Sequence, residues 1–224
     1  MLLGLDVGGT FTDAVIIDGH RVVATAKRRT TKDNLMNGIG EALDAVLEDC
    51  DTSNIEQVTL STTVVTNTIV EGKEQPVDLY VVTGPGRNVD DIFPVSPIYL
   101  QGYTDHRGIV VERTPTDAVR GIANMVQTRS GTDLAAVSAK FGVRNPQEEL
   151  SITEELKNTY HVISNGSLLS GSLNFPRRTI SAYFNSAVTP VFTVFKKNVE
   201  DALSARNIVA PLHILKADGG SLPI

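Results

Sequence analysis

Apolar residues in the first part of the chain fall into short runs broken by glycine turns. Leu2 to Val7 is the first run and stops at Gly8-Gly9-Thr10. Ala14 to Ile17 is the second, broken at Asp18-Gly19, and Arg21 to Ala26 is the third. Strands separated by such turns predict consecutive hairpins. The period then changes. Leu35, Ile39, Ala42, Leu43, Val46 and Leu47 recur at helical spacing, with Thr31 or Asp33 placed to cap the helix. Val58 to Leu60 predicts a strand, followed by a stretch rich in hydroxyls, and Val77 to Val82 predicts another. Residues 84–115 hold four prolines and little periodicity, so a long irregular segment is expected there. Helical spacing resumes at Ala118, Ile122, Met125 and Val126, and Leu134 to Val137 predicts a strand. Asn145-Pro146-Gln147-Glu148 has the form of a helix start, with Asn145 as cap and Glu148 reaching back in a capping box. His161 to Ser164 predicts a strand, and Val191, Phe195, Val199 and Leu203 a late amphipathic helix. Leu212 to Leu215 predicts a last strand. Three hairpin-connected strands followed by alternating strands and helices predict an α/β fold with a mixed sheet.

Composition narrows the function classes. Of 224 residues, 41% are hydrophobic and 21% charged, enough apolar material for a core without disulfides or metal staples. The net charge is −6, and the basic runs Lys27-Arg28-Arg29 and Lys196-Lys197 are too short for a nucleic-acid surface. Trp is absent and aromatic residues make up 5%, which argues against stacking platforms for single strands. No apolar run reaches the length of a membrane span, and Met-Leu-Leu-Gly-Leu-Asp lacks the basic start of a signal peptide. With Cys50 the single cysteine, the expectation is a cytoplasmic protein, with no nucleic acid and no membrane among its partners.

The sharpest chemical feature is Asp6-Val7-Gly8-Gly9-Thr10-Phe11-Thr12-Asp13. An acid ends a strand, and two glycines and two hydroxyls follow. Glycines let backbone N–H groups approach a phosphate closely. Thr10 and Thr12 would add hydroxyl donors, and Asp6 would hold Mg²⁺, through water. No Lys follows and the loop leads into a strand, so it is not a Walker A loop. The competing reading is a tight hairpin carrying an incidental acid. Further on, Thr62, Thr63, Thr66 and Asn67 either face a phosphate or substrate from a helix start or simply cap that helix. Thr83 to Asn88 would cradle an anion with Arg87 as clamp, against the alternative of a surface turn. Asp105 beside His106 is a candidate acid/base pair in the long loop, against the alternative of a solvated loop. His20, His161 and His213 show no ligand spacing.

These segments together resemble the hydantoinase A/oxoprolinase family, within the actin/Hsp70/sugar-kinase ATPase superfamily. Asp6 to Asp13 looks like its first phosphate motif, and Ser61 to Glu71 its G-T-T-x-x-T-N-A segment. Phe141-Gly142-Val143-Arg144-Asn145-Pro146 resembles its F-x-V-R-N-P region. Ser164 to Thr179 resembles its S-x-(small)-x-N-P-x-E-R-x-x-T region, with Phe175 a departure, and Ala210 to Gly220 its strand ending in D-G-G. The resemblance implies a ribonuclease-H-like lobe of an actin-type ATPase. It implies ATP and Mg²⁺ as cofactors and ATP-dependent hydrolysis of a cyclic amide such as a hydantoin or 5-oxoproline. Asp6, Thr10 and Thr12 would be catalytic. Gly8, Gly9, Thr10, Phe11, Thr12, Thr63 and Asn67 would contact the nucleotide. Asn174 and Arg177 would orient substrate, or cap the helix that begins near Pro176. The second phosphate motif of actin-type ATPases does not appear, and Asp218-Gly219-Gly220-Ser221 only echoes it. The expected division is therefore an N-terminal lobe, 1–185, and the first elements of a second lobe, 186–224. The rest of the site would come from a missing C-terminal lobe or a second subunit. The alternatives are a small-molecule kinase of the same superfamily and a non-catalytic actin-like assembly subunit.

Overall fold

The computed structural model describes residues 1–30, 35–86 and 90–224. In chain order the elements are β1 (Leu2–Val7), β2 (Phe11–Asp18), β3 (Arg21–Arg29), α1 (Leu35–Leu47), β4 (Gln57–Thr62) and α2 (Val64–Val70). Next come β5 (Asp78–Val82), β6 (Ile98–Tyr99), β7 (Tyr103–Thr104), β8 (Val110–Glu112), α3 (Thr116–Ser130) and β9 (Leu134–Ala139). The chain closes with α4 (Gln147–Leu156), β10 (Val162–Asn165), α5 (Gly166–Leu169), α6 (Phe175–Ser204), β11 (Leu212–Leu215) and β12 (Ser221–Pro223). The expected caps of α1, Thr31 and Asp33, lie outside the described residues.

Two compact units divide the chain: Met1–Gly72 with Val191–Ile224, and Lys73–Pro190. The first is built on a six-stranded sheet of order β12-β11-β4-β1-β2-β3. The predicted hairpins are present, β1 antiparallel to β2 and β2 to β3, while β4 runs parallel to both β1 and β11. The order β3-β2-β1-β4-β11, with β2 reversed, is the expected ribonuclease-H-like arrangement. Alternation sets its two faces. Leu3, Leu5, Val7, Ala14, Ile16, Val58 and Leu60 point one way, into a core shared with Ile39, Leu43 and Val46 of α1 and Phe195, Val199 and Leu203 of α6. Gly4, Asp6, Asp13, Val15, Thr59 and Ser61 line the other face.

This arrangement departs from the expected division at residue 186. The 186–224 segment does not start a lobe of its own: from Val191 onward it closes the first sheet. β11 pairs with β4, and the second half of α6 fills the core against α1. The intervening Lys73–Pro190 unit separates these partners in sequence, which hides their pairing from any local pattern.

That second unit has a parallel sheet of order β10-β9-β5-β6. Every residue of β5 and β9 is buried, as expected of strands covered on both faces. On one face Tyr80, Val82, Val137 and Ala139 meet Val119, Ala123, Ile152 and Leu156 of α3 and α4. On the other, Leu79, Val81 and Ala136 meet Phe93 and Phe175, Ala182, Tyr183 and Ala187 of α6. The long segment 84–115 is not wholly irregular, since it holds β6 and the small β7–β8 hairpin. The capping box expected at α4 does not form. Asn145 Oδ1 does accept from Gln147 N at 3.1 Å, but Glu148 is buried and accepts instead from Thr114 N at 2.9 Å.

Candidate functional site

Asp6 lies near the carboxyl end of β1, between buried Leu5 and Val7, so its side chain projects from the opposite, open face. The register sets it directly across from Asp13 on β2 and Ser61 on β4. Lys27 Nζ bonds both oxygens of Asp13, at 2.9 and 3.0 Å, and sits 4.8 Å from the centroid of the Phe11 ring. Asp6 is exposed and forms no hydrogen bond or ion pair among the described residues. A groove of about 450 Å³ runs along this face past Asp6, Asp13, Lys27, Thr59 and Ser61. Two carboxylates thus stand side by side while one lysine neutralises one of them, which leaves Asp6 able to receive a hydrated cation.

The turn after β1 is tight. Gly8 N donates to Phe11 O at 3.0 Å, and a Cβ on Gly8 would lie 3.1 Å from that same carbonyl. A Cβ on Gly9 would lie 3.3 Å from Asn67 Nδ2, and this amide donates to Thr63 Oγ1 at 3.3 Å. Thr62 Oγ1 donates to Val7 O at 3.0 Å, holding the end of β4 to the end of β1. Parallel pairing of β1 and β4 thereby gathers Asp6, Gly8, Gly9, Thr63 and Asn67 at one end of the sheet. Thr10 stays exposed there, its carbonyl accepting from Thr30 N at 2.9 Å.

Thr12 is a correction. It is fully buried, on the core side of β2 with Ala14 and Ile16, and its hydroxyl bonds Thr30 Oγ1 at 3.0 Å. The physical reason is strand alternation, which puts Thr12 opposite in sense to Phe11 and Asp13. Phe11 is exposed, with its ring under Lys27.

Among the described residues, Asp105, His106, Asn174 and Arg177 do not form one cluster of chemistry. Arg87 lies outside the described residues. Asp105 is buried and accepts from Ile109 N, Arg107 N and Arg107 Nε. The Ile109 amide first, then the Arg107 contacts, hold its carboxyl below the usual range. The Asp105–His106 pair is thus replaced by Asp105–Arg107, and His106 is exposed. Asn174 is the cap of α6, its Oδ1 accepting from Arg177 N at 3.1 Å, and Arg177 is exposed. Asp218 closes the β11–β12 turn, bonded to Lys216 Nζ and Gly220 N, each at 2.9 Å.

Asp13, Lys27 and Ser61 have no assigned role in the sequence reading, although Asp13 and Ser61 stand within its motifs. The hairpin register would have found Asp13, because the strands on either side of Gly8-Gly9-Thr10 set residues 6 and 13 opposite. Also missed was a buried polar cluster in the second unit. Glu149 accepts from Ala139 N and from the amide and hydroxyl of Ser167. Arg178, fully buried, donates to Ala139 O and Ser172 O. Burial lowers the Arg178 pKa, and the Glu149 charge opposes that.

The family described as the hydantoinase/oxoprolinase N-terminal region matches residues 2–160. No curated protein sequence matches the chain. Two solved structures share its fold. A nucleotide-free acetone carboxylase, studied for ATP-dependent acetone carboxylation, superimposes with a TM-score of 0.79 at 16% identity. An ATP-dependent caprolactamase from Pseudomonas jessenii gives 0.76 at 18%. The matches cover 100% and 99% of this chain but only 37% and 36% of those chains, so it spans just over a third of their length.

Proposed function

Because the chain belongs to the hydantoinase/oxoprolinase family through its N-terminal region, we propose that it is the phosphate- and magnesium-holding part of an ATP-dependent cyclic amidohydrolase. The substrate class is a hydantoin- or 5-oxoproline-type ring. The observation that carries this reading is the unpaired Asp6 carboxylate beside the Gly8–Gly9 turn, where β1 and β4 end together.

The residues fit the group. Asp6, with the Lys27-paired Asp13 beside it, would hold Mg²⁺ through water, and the exposed Asp6 oxygens, which have no partner among the described residues, suit a cation that keeps its hydration shell. Backbone N–H groups at Gly9 and Thr10, with Thr63 and Asn67 alongside, would hold phosphate oxygens. Lys27 pairs with Asp13 and orients it rather than bonding Asp6. When bound, Mg·ATP supplies a phosphoryl group that makes a poorly reactive carbonyl electrophilic. The chain's own part is positioning and charge neutralisation, which dominate phosphoryl transfer. The remaining groups would come from the rest of a longer protein or from a second subunit.

Titration calorimetry with Mg·ATP tests this. The chain is expected to bind weakly and not to turn ATP over. Asp6→Ala is expected to weaken binding on the order of tenfold with Mg²⁺ present and little without it, a difference of about 1.4 kcal/mol. Robust turnover by the isolated chain, or Mg-dependent binding indifferent to Asp6→Ala, would refute the reading.

A further inference from the structure

The parallel sheet of the Lys73–Pro190 unit carries a feature that nucleotide binding leaves unused. In the order β10-β9-β5-β6, the chain leaves β5 for β6 on one side and later reaches β9 on the other. The carboxyl ends of β5 and β9 therefore flank a switch point, where open α/β sheets take their ligands. A cleft of about 360 Å³ opens there, within the range of small-molecule sites. Three separate segments build it: Gly84 and Gly86 after β5, Lys140 and Phe141 after β9, and Leu173 and Phe175 at the start of α6. Each belongs to or adjoins a motif visible in the sequence and not absorbed by the phosphate turn.

Among the described residues, the lining has one charged side chain, Lys140. Its ammonium has no ion pair among the described residues and stands 5.7 Å from the Phe141 ring centroid. Phe141 holds φ 66°, a conformation that bulky residues rarely adopt and that persists where surrounding structure enforces it. The walls are tied together from behind. Arg178 donates to Ala139 O at 2.9 Å and to Ser172 O at 2.6 Å, the residues just before Lys140 and Leu173. The cleft's described walls are thus braced from behind, mainly apolar with Thr83 and Asn174 among them, and positive at Lys140.

We propose that this cleft binds a small carboxylate with an apolar body. The carboxylate meets Lys140 Nζ, and the body packs on Phe141, Leu173 and Phe175. Among the described residues, one ammonium in mainly apolar walls matches one carboxylate, whereas a phosphate dianion calls for several converging donors or an arginine fork. The inference stands independently of nucleotide binding at Asp6.

The test is an amide NMR titration of the full chain with cyclohexanecarboxylate, with cyclohexanecarboxamide and inorganic phosphate as parallel arms. The carboxylate is expected to give saturable shifts at the Gly84, Gly86, Lys140 and Phe141 amides, and the other two several-fold weaker responses. Lys140→Gln is expected to weaken carboxylate binding on the order of tenfold. Lys140→Arg keeps the charge and should retain it within a few-fold, and Lys157→Gln, an equal charge change on exposed surface, should leave it unaltered. No saturable shift at those amides would overturn the proposal. So would equal binding of the carboxamide, tighter binding of phosphate, or a Lys140→Gln chain of wild-type spectral dispersion that binds as before.

Discussion

At the scale of single residues, the most informative buried group outside the two proposed sites is a chain of hydroxyls ending on Asp78. Tyr160 OH donates to Asp78 Oδ2 at 2.8 Å, the Tyr80 and Tyr160 hydroxyls lie 2.7 Å apart, and Ser130 Oγ donates to the same Asp78 oxygen at 2.7 Å. Burial pushes Tyr80 up to about 12, with the Asp78 charge adding to it. Burial, then the bonds to Tyr80 and Asp78, raise Tyr160 as well, and burial raises Tyr183. A tyrosine whose folded pKa exceeds its unfolded value binds more protons when folded. Its stabilising effect is full below about pH 10 and is lost as pH rises through the folded pKa. Spectrophotometric titration is therefore expected to show Tyr80, Tyr160 and Tyr183 ionising late, with loss of the far-ultraviolet dichroism, and Tyr80→Phe to reduce the alkaline loss. Ionisation of Tyr80, Tyr160 and Tyr183 near pH 10 in a folded chain would contradict this. The same scale shows what a motif conveys and what it does not. Asp6, Gly8 and Gly9 stood out in the sequence because their types match phosphate chemistry. Thr12 matched equally well by type, and its burial against Thr30 follows from which strand face it occupies.

At the scale of elements, helix ends separate local from distant causes. Gly131 ends α3 at φ 67°, its N–H bonding Gln127 O, and a Cβ there would meet open space. The cost of Gly131→Ala is then conformational alone, about 1–2 kcal/mol. Gly121, in the exposed interior of the same helix, also has open space, and Gly121→Ala is expected to stabilise by roughly 0.5–1 kcal/mol. Urea unfolding of the two variants measures the opposed signs. Local signals of this kind were legible: the hairpins, α1, α3, β5 and β9 stand where periodicity set them. The capping box at α4 was not, because Glu148 finds Thr114, 34 residues away, a better-placed donor once buried. The late amphipathic stripe from Val191 is the second half of a 30-residue helix that continues through Pro190. The proline hides that continuity, since prolines usually end helices.

At the scale of the molecule, the chain is two units of unequal connectivity. Lys73–Pro190 is contiguous and has a sheet covered on both faces by its own helices. It is expected to fold cooperatively when expressed alone, as read by amide spectral dispersion. Residues 1–72 alone are expected not to, because β11 and the Phe195–Leu203 stripe that complete their core come from beyond residue 190. A well-dispersed 1–72 fragment would show that the first hairpins and α1 suffice. Among the described residues no helix is long and apolar enough to cross a membrane.

The sequence by itself determined most of the strands and helices, the α/β class, the glycine turn that follows Asp6 and the family. All of these rest on residue type and spacing within a few tens of residues. Tertiary structure alone decided the rest. It set Ser61 beside Asp6, turned Thr12 inward, and returned residues 191–224 to the first sheet. It also brought three distant segments to one cleft around Lys140. Strand register and parallel pairing join residues far apart in the chain, and no local pattern encodes which strand will be the neighbour.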